Sequence, residues 1–350
     1  MEIRTPPTVA LRSEPPQASP AGGLRDGAGL LGPAVEDLLV LSQYVGAGQL
    51  YRMEDARFKE AAAVRPPLAH EPRVTLQRPF VMVPGWTTAR ARFEGLGAKL
   101  TEGGINGGKV YFVQDGRFFQ DYRLLNEVGV QGPPADAKVF EVVLRDIHAP
   151  PDVVASELDR NFEAIREVTG APRLDVNGYS MGGLGTRVYL DRGGSAVGRF
   201  MMLGTPNRGT RFAELARHIL QRDIQWAISM AGLVPGDLPA LNWMAVDDGQ
   251  GKSNPRLHAL NERWPQQLQR VEAAEIVGGQ GQLTPASGDW RLFEPGDGLV
   301  PLHSLSLPGT PARILPGEQH HGHLNLDAAT YREMTRFFGW TPLPPPTAGA

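Results

Sequence analysis

The sequence predicts an α/β fold whose central sheet is mostly parallel and flanked by helices, and three observations carry that prediction. From Arg78 onward, short apolar runs alternate with stretches of helical periodicity. The run Phe80–Val83 is apolar throughout and is cut off by Pro84-Gly85, the pattern of a central strand buried on both faces. The run from Leu174 enters Gly178-x-Ser180-x-Gly182, so that a strand passes into a helix within a single tight turn.

Taken in order, the elements are these. Residues 1–33 are rich in Pro, Ala and Gly with scattered charge, a composition that predicts disorder. Residues 34–77 read as a helical N-terminal segment, with apolar positions at Val35, Leu38, Leu39, Leu41 and Val45. Residues 78–340 form the main domain. Phe93–Leu100 reads as a helix. Lys109–Val113 and Phe118–Tyr122, around Gln114-Asp-Gly-Arg117, read as an inserted hairpin.

Lys138–Leu144 is the next strand, and Pro151–Val168 is a helix with Val154, Leu158, Phe162 and Ile165 on one face. Thr169-Gly170 stops that helix before the strand at Leu174. The helix beginning at Met181 is broken by Asp191-Arg-Gly-Gly194, and the strand Val197–Leu203 follows. A long insertion, about 211–270, precedes the strands Ala274–Val277 and Ala312–Leu315 and the closing helix Ala328–Phe338. Pro-rich 341–350 is expected to be a disordered tail.

Composition narrows the function classes. The chain has 350 residues, 41% of them hydrophobic, enough for one large core. A net charge of -3 without a basic block argues against a nucleic-acid partner. The absence of cysteine excludes disulfides and a thiolate nucleophile. The N-terminus shows no basic start followed by an apolar run, so no secretory signal is expected and a cytoplasmic location is favoured. Leu38–Val45 is too short to span a bilayer.

The strand–turn–helix at Ser180 holds a hydroxyl clear of the backbone, and Gly178, Gly182 and Gly183 are the small residues such a turn needs. A serine hydroxyl becomes a nucleophile when a base takes its proton, and the base needs a carboxylate to fix its tautomer. In this architecture the chain order is Ser, acid, His. The acid is expected at Asp297, set in the turn Gly296-Asp-Gly298 before Val300-Pro301, with Asp289 and Glu294 as rivals.

The base is expected in the cluster Gln319-His-His-Gly-His323 after the last strand, at His321, with His323 as the alternative. Asp327 is placed to cap the closing helix. Three histidines this close also admit a metal site, but no second ligand cluster accompanies them, and neither metal nor cofactor is expected. Backbone N–H groups of Met181 and Trp86 are the expected donors to an oxyanion.

Gly178-Tyr-Ser-Met-Gly-Gly183, Leu203-Gly-Thr-Pro-Asn-Arg-Gly-Thr210 and Asp297-Gly-Leu-Val-Pro301 together resemble bacterial lipases and esterases of the α/β-hydrolase superfamily, over roughly residues 78–340. The resemblance implies an α/β-hydrolase fold and a triad of Ser180, Asp297 and His321 or His323. It implies that the Gly204–Thr210 loop lies beside the site and leads into a helical lid, with Tyr179, Thr205 and Pro206 contacting substrate. Many relatives carry His-Gly where this chain has Pro84-Gly85.

Within the lid, Phe212, Leu215 and Ile219 form one apolar face, and Trp226, Met230 and Leu233 another. They could cover an acyl chain and touch a lipid interface transiently, or simply pack on the sheet. The expected activity is hydrolysis of small-molecule or lipid esters of apolar acyl groups. An acyltransferase or amidase with the same triad is the alternative, ahead of a non-catalytic binding protein on this fold. Oligomeric state is not legible in the sequence.

Overall fold

The computed structural model describes residues 66–345, apart from 88–92, 130–131, 224–227, 229–232 and 287–292, together with isolated positions between 53 and 63. The first expected segment, 1–33, lies outside the described residues. So do Val35, Leu38, Leu39, Leu41, Val45, Asp289, Trp226 and Met230.

The strands are β1 (Val74–Thr75), β2 (Phe80–Val83), β3 (Val110–Gln114), β4 (Arg117–Phe119), β5 (Val139–Val142), β6 (Leu174–Tyr179), β7 (Val197–Leu203), β8 (Ala273–Gly278), β9 (Gln282–Pro285), β10 (Phe293–Gly296), β11 (Arg313–Ile314) and β12 (Thr341–Pro342). The helices are α1 (Glu94–Leu100), α2 (Pro151–Thr169), α3 (Met181–Asp191), α4 (Arg211–Gln221), α5 (Leu238–Met244), α6 (Pro255–Glu262), α7 (Trp264–Leu268), α8 (Leu302–Leu305) and α9 (Ala328–Phe337).

Eight strands form the main sheet in the order β11-β8-β7-β6-β2-β5-β3-β4. All its neighbours are parallel except the edge pair β3–β4. The hairpin read as an insertion thus extends the sheet: β3 joins β5 in parallel, and only β4 turns back. The central strands are buried along their length because helices cover both faces. On one face, Phe80, Met82, Val139, Met201 and Val277 pack with Leu96 and Leu100 of α1 and Tyr331 and Met334 of α9. Val81, Phe140, Val176 and Phe200 alternate to the other face and are fully buried. There α2 and α3 pack against each other.

Local chemistry explains the element ends. Pro151 opens α2, where a missing N–H costs nothing, and Gly170 closes it with φ 64°. Val154, Leu158, Phe162 and Ile165 are all buried. Asp327 caps α9 by accepting from the Ala329 and Thr330 amides.

Two expectations need correction. The helical reading of 34–77 fits the described positions between 53 and 63, which are helical, but not 66–77: that stretch turns and forms β1, and Leu68, Val74 and Leu76 are buried in the core. The tail read as disordered from 341 begins with β12, which pairs antiparallel with β1, and Trp340 just before it is buried against Phe80 and Phe338. The segment read as a lid also packs on the body of the fold. Among its described residues, α6 and α7 lie against α3, tied to it by a buried guanidinium.

That guanidinium is Arg187 on α3. Its Nε donates to Gln267 at 3.2 Å, Nη1 to Asn207 at 3.0 Å and Nη2 to the Leu260 carbonyl at 3.1 Å, while its plane lies over the Trp264 ring. Burial pulls its pKa down to about 9. One side chain therefore joins four segments. Arg187→Leu takes the donor from the buried Gln267 and Asn207 side-chain oxygens, while the Leu260 carbonyl keeps Gln267 Nε2, and is expected to lower stability by about 3 kcal/mol. Arg187→Lys, which lacks the planar fork, should recover less than half of that loss in denaturant titration.

Glu141 is a second buried ionisable group, at the carboxyl end of β5 opposite Met82 and Phe112. Desolvation first, and the nearby Glu94 carboxylate second, push it up to about 8. The folded chain thus keeps a proton that the unfolded chain releases above the ordinary carboxylate range, so this residue's contribution to stability falls as pH rises from about 4.5 to about 8. Glu141→Gln removes the dependence. Its stability relative to wild type should climb across that window by up to roughly 5 kcal/mol and then level off, as read from urea midpoints between pH 4 and 9.

Candidate active site

The exits of β2 and β7 meet the turn at Ser180, the residue between β6 and α3. Ser180 has φ 53° and ψ -127°, a conformation strained for any residue with a Cβ. Two backbone hydrogen bonds hold it there: its N–H donates to the Leu203 carbonyl at 2.8 Å, and the Gly183 N–H donates to its carbonyl at 3.0 Å.

The neighbouring glycines are required by close approach. A Cβ at Gly182 would lie 2.5 Å from the Pro84 carbonyl oxygen, and one at Gly183 would lie 2.0 Å from the Thr205 hydroxyl oxygen. The β2 exit is therefore packed backbone against backbone on the elbow, and the β7 exit packs the Thr205 side chain on it.

His321 Nε2 lies 2.9 Å from Ser180 Oγ, and His321 Nδ1 lies 2.8 Å from Asp297 Oδ2. The side chains of His321 and Asp297 are 4% and 1% exposed, so water does not compete for the link between them. Asp297 is locked by its own turn, its Oδ1 accepting from the Leu299 and Val300 amides at 3.1 and 2.8 Å. The loop carrying the histidine is fixed as firmly. The His321 N–H donates to the Asp297 carbonyl at 2.8 Å, and the Tyr179 hydroxyl donates to the His321 carbonyl at 2.8 Å.

His321, and not His323, is thus the imidazole against Ser180. Both sit on one turn of 3₁₀ helix, His321–Leu326, and the His323 ring packs on His320 instead, with centroids 4.8 Å apart. Of the rival acids, Glu294 pairs with His303 at 2.8 Å, and Asp289 lies outside the described residues. No group of three or more potential ligands among the described residues is arranged to hold a metal ion.

Met181 is the first residue of α3, where an amide has no acceptor within the helix. Trp86 lies on the β2 exit loop, which presses on the elbow at Pro84 and Gly182. Its indole Nε1 donates to Asp237 at 2.9 Å. Tyr179 and Thr205, expected to contact substrate, are buried, at 3% and 0% exposed. The Tyr179 ring packs on His321 at 5.2 Å between centroids, and Thr205 fills the space beside Gly183. Pro206 is buried next to Thr205.

A strand turned into a helix at a strained serine, within this sheet order and with acid and base following in sequence, decides the architecture. The fold is that of the α/β-hydrolases.

No protein-family model matches the chain, and no curated protein matches it. Among solved structures, it is similar to a Bacillus licheniformis lipase, BlEst2 in its mature form, at 14% identity over 77% of this chain and 94% of the other, with a TM-score of 0.48. The lin2722 gene product of Listeria innocua matches at 14% identity over 75% and 93%, with a TM-score of 0.45. The proline iminopeptidase of Mycobacterium smegmatis matches at 15% over 76% and 91%, with a TM-score of 0.37.

Sequence reasoning missed Asp237, which Trp86 and His148 share, and the hydrogen bond from the Tyr179 hydroxyl to the His321 carbonyl. No local motif marks these residues, since their partners are 89 to 151 positions away.

The fit at Gly183 is directly testable. Gly183→Ala should lower stability by about 2 kcal/mol through overpacking. Thr205→Gly, which removes every side-chain atom the new methyl would meet, should return a good part of it, so a double-mutant cycle should show a coupling of about 1 kcal/mol.

Proposed function

We propose that the protein is a serine carboxylic ester hydrolase acting through an acyl-enzyme on Ser180, and that its substrates are esters of apolar acyl groups. The hydrogen-bonded series Ser180 Oγ, His321 and Asp297 Oδ2 is the observation that carries this reading.

Ser180 Oγ attacks the ester carbonyl while His321 Nε2 takes the hydroxyl proton, and Asp297 holds Nδ1–H and stabilises the imidazolium. The carbonyl oxygen becomes an oxyanion received by the Met181 and Trp86 amides. Collapse expels the alcohol, which leaves with the proton from His321. A water molecule then repeats the sequence on the acyl-enzyme, giving up its proton to His321, and releases the carboxylic acid and free Ser180.

One feature supports an apolar acyl group. Ile147 and Val234 are exposed apolar side chains on the two segments that flank Trp86. Each methylene buried by the substrate adds about 0.8 kcal/mol, close to fourfold in kcat/KM. A series of p-nitrophenyl esters should therefore rise steeply from two to about eight carbons, and a flat series would remove the acyl pocket from the reading.

Ser180→Ala should lower kcat by on the order of 10⁶ and abolish labelling by a fluorophosphonate. A Ser180→Ala protein retaining a tenth of wild-type turnover would overturn the assignment. Adding an alcohol or amine acceptor to the assay separates hydrolysis from acyl transfer, because a transferase would divert most of the acyl group to the acceptor.

A further inference from the structure

Trp86 is held from two sides. Its indole Nε1 donates to Asp237 Oδ1 at 2.9 Å, and the next amide, Thr87 N–H, donates to the Ile147 carbonyl at 2.9 Å. The same Asp237 oxygen lies 2.5 Å from His148 Nδ1, and its other oxygen accepts from the Val234 amide at 2.7 Å. Asp237 is fully buried. One carboxylate therefore gathers the β2 exit loop, the loop beyond β5 and the insertion ahead of α5.

The turn it secures does not hold itself. Thr87 has φ 48°, a left-handed conformation that a β-branched residue avoids and that surrounding contacts must impose. The same turn presses on the elbow, where only glycine at 182 clears the Pro84 carbonyl. A movement of Trp86 is thus a movement of the loop that packs on the elbow at Gly182.

From this geometry we propose that Asp237 is a positioning residue: it ties the Trp86 amide to the inserted segment, so that the oxyanion donor is in place only while that segment is docked. The inference rests on the ester-hydrolase reading and adds a role for the insertion, control of the donor in addition to cover for the substrate. An acceptor shared by Trp86 and His148 couples two loops that have no sequence link, and the insertion brings it to them.

The test compares Asp237→Asn, Trp86→Phe and the double variant in kcat, KM and backbone hydrogen exchange. Trp86→Phe keeps the backbone amide and most of the ring but removes the indole N–H. Each single variant should lose 10- to 100-fold in kcat with KM changed less than threefold. The double variant should be no more than threefold worse than the poorer single, because both remove one link. Amides 85–87 and 233–237 should exchange faster together in Asp237→Asn.

A kcat within twofold of wild type in both singles, or a change confined to KM, overturns the proposal. Fully additive losses, or faster exchange at 233–237 with 85–87 unchanged, do the same. If Asp237→Asn fails to fold, Trp86→Phe and His148→Gln carry the same readings. Absence of fluorophosphonate labelling in the wild type sinks the ester-hydrolase reading instead, and the exchange comparison then decides whether Asp237 holds the two segments together.

Discussion

Ser180 occupies a backbone conformation that an L-residue adopts only when its surroundings insist, at a cost of about 1–3 kcal/mol. Everything near the site can be understood as the apparatus that imposes it. The Leu203 carbonyl captures the Ser180 amide, so β7 must run beside β6 in the observed register. Gly182 and Gly183 let the β2 exit and Thr205 close in from either side. The same conformation opens α3 immediately, so the Met181 amide is a first-turn amide with no acceptor within the helix. In the proposed mechanism, nucleophile and anion donor are two consequences of one turn.

The partners of Ser180 show the same economy. Asp297 has two oxygens, and its own turn saturates one with the Leu299 and Val300 amides, so the other can point only at His321. A glutamate would carry another rotatable bond and could not accept from amides two and three residues ahead in the same way. His321 is tied through its N–H to Asp297 and through its carbonyl to Tyr179, so its ring is set by the backbone before it is set by Ser180. Preorganisation of this kind avoids rearrangement at the moment charge develops.

The parts legible in the sequence are those whose signal is local. β2, β6 and β7 are runs of residues buried on both faces, and the elbow announces itself through glycines that have no other reason to cluster. Asp297 was legible because its turn is written in adjacent residues. The preference for His321 over His323 rests on loop spacing alone, since both lie on one short 3₁₀ helix and a contact that fixes the loop comes from Tyr179, 142 positions away. β9 and β10 escaped notice for a different reason: each contains a proline, and Leu283 and Phe293 face outward, so neither propensity nor pattern marks a strand. β1 and β12 are two residues each and exist only because the chain ends of the domain meet.

Buried polar groups divide this molecule in two ways. Asp297, Asp237 and Arg187 each sit where several segments supply complementary partners, and each therefore fixes the relative position of loops that apolar packing alone would leave free to slide. Glu141 stands apart: burial and the Glu94 charge hold its proton on to about pH 8, and the cost of ionising it falls on the sheet beside α1. Apolar contacts are plentiful throughout the core and tolerate exchange, whereas a carboxylate with three donors from three segments tolerates almost none. Specific geometry is thus concentrated at a few charged atoms. Asp297 lies on the loop beyond β10, Asp237 on the insertion ahead of α5 and Arg187 on α3.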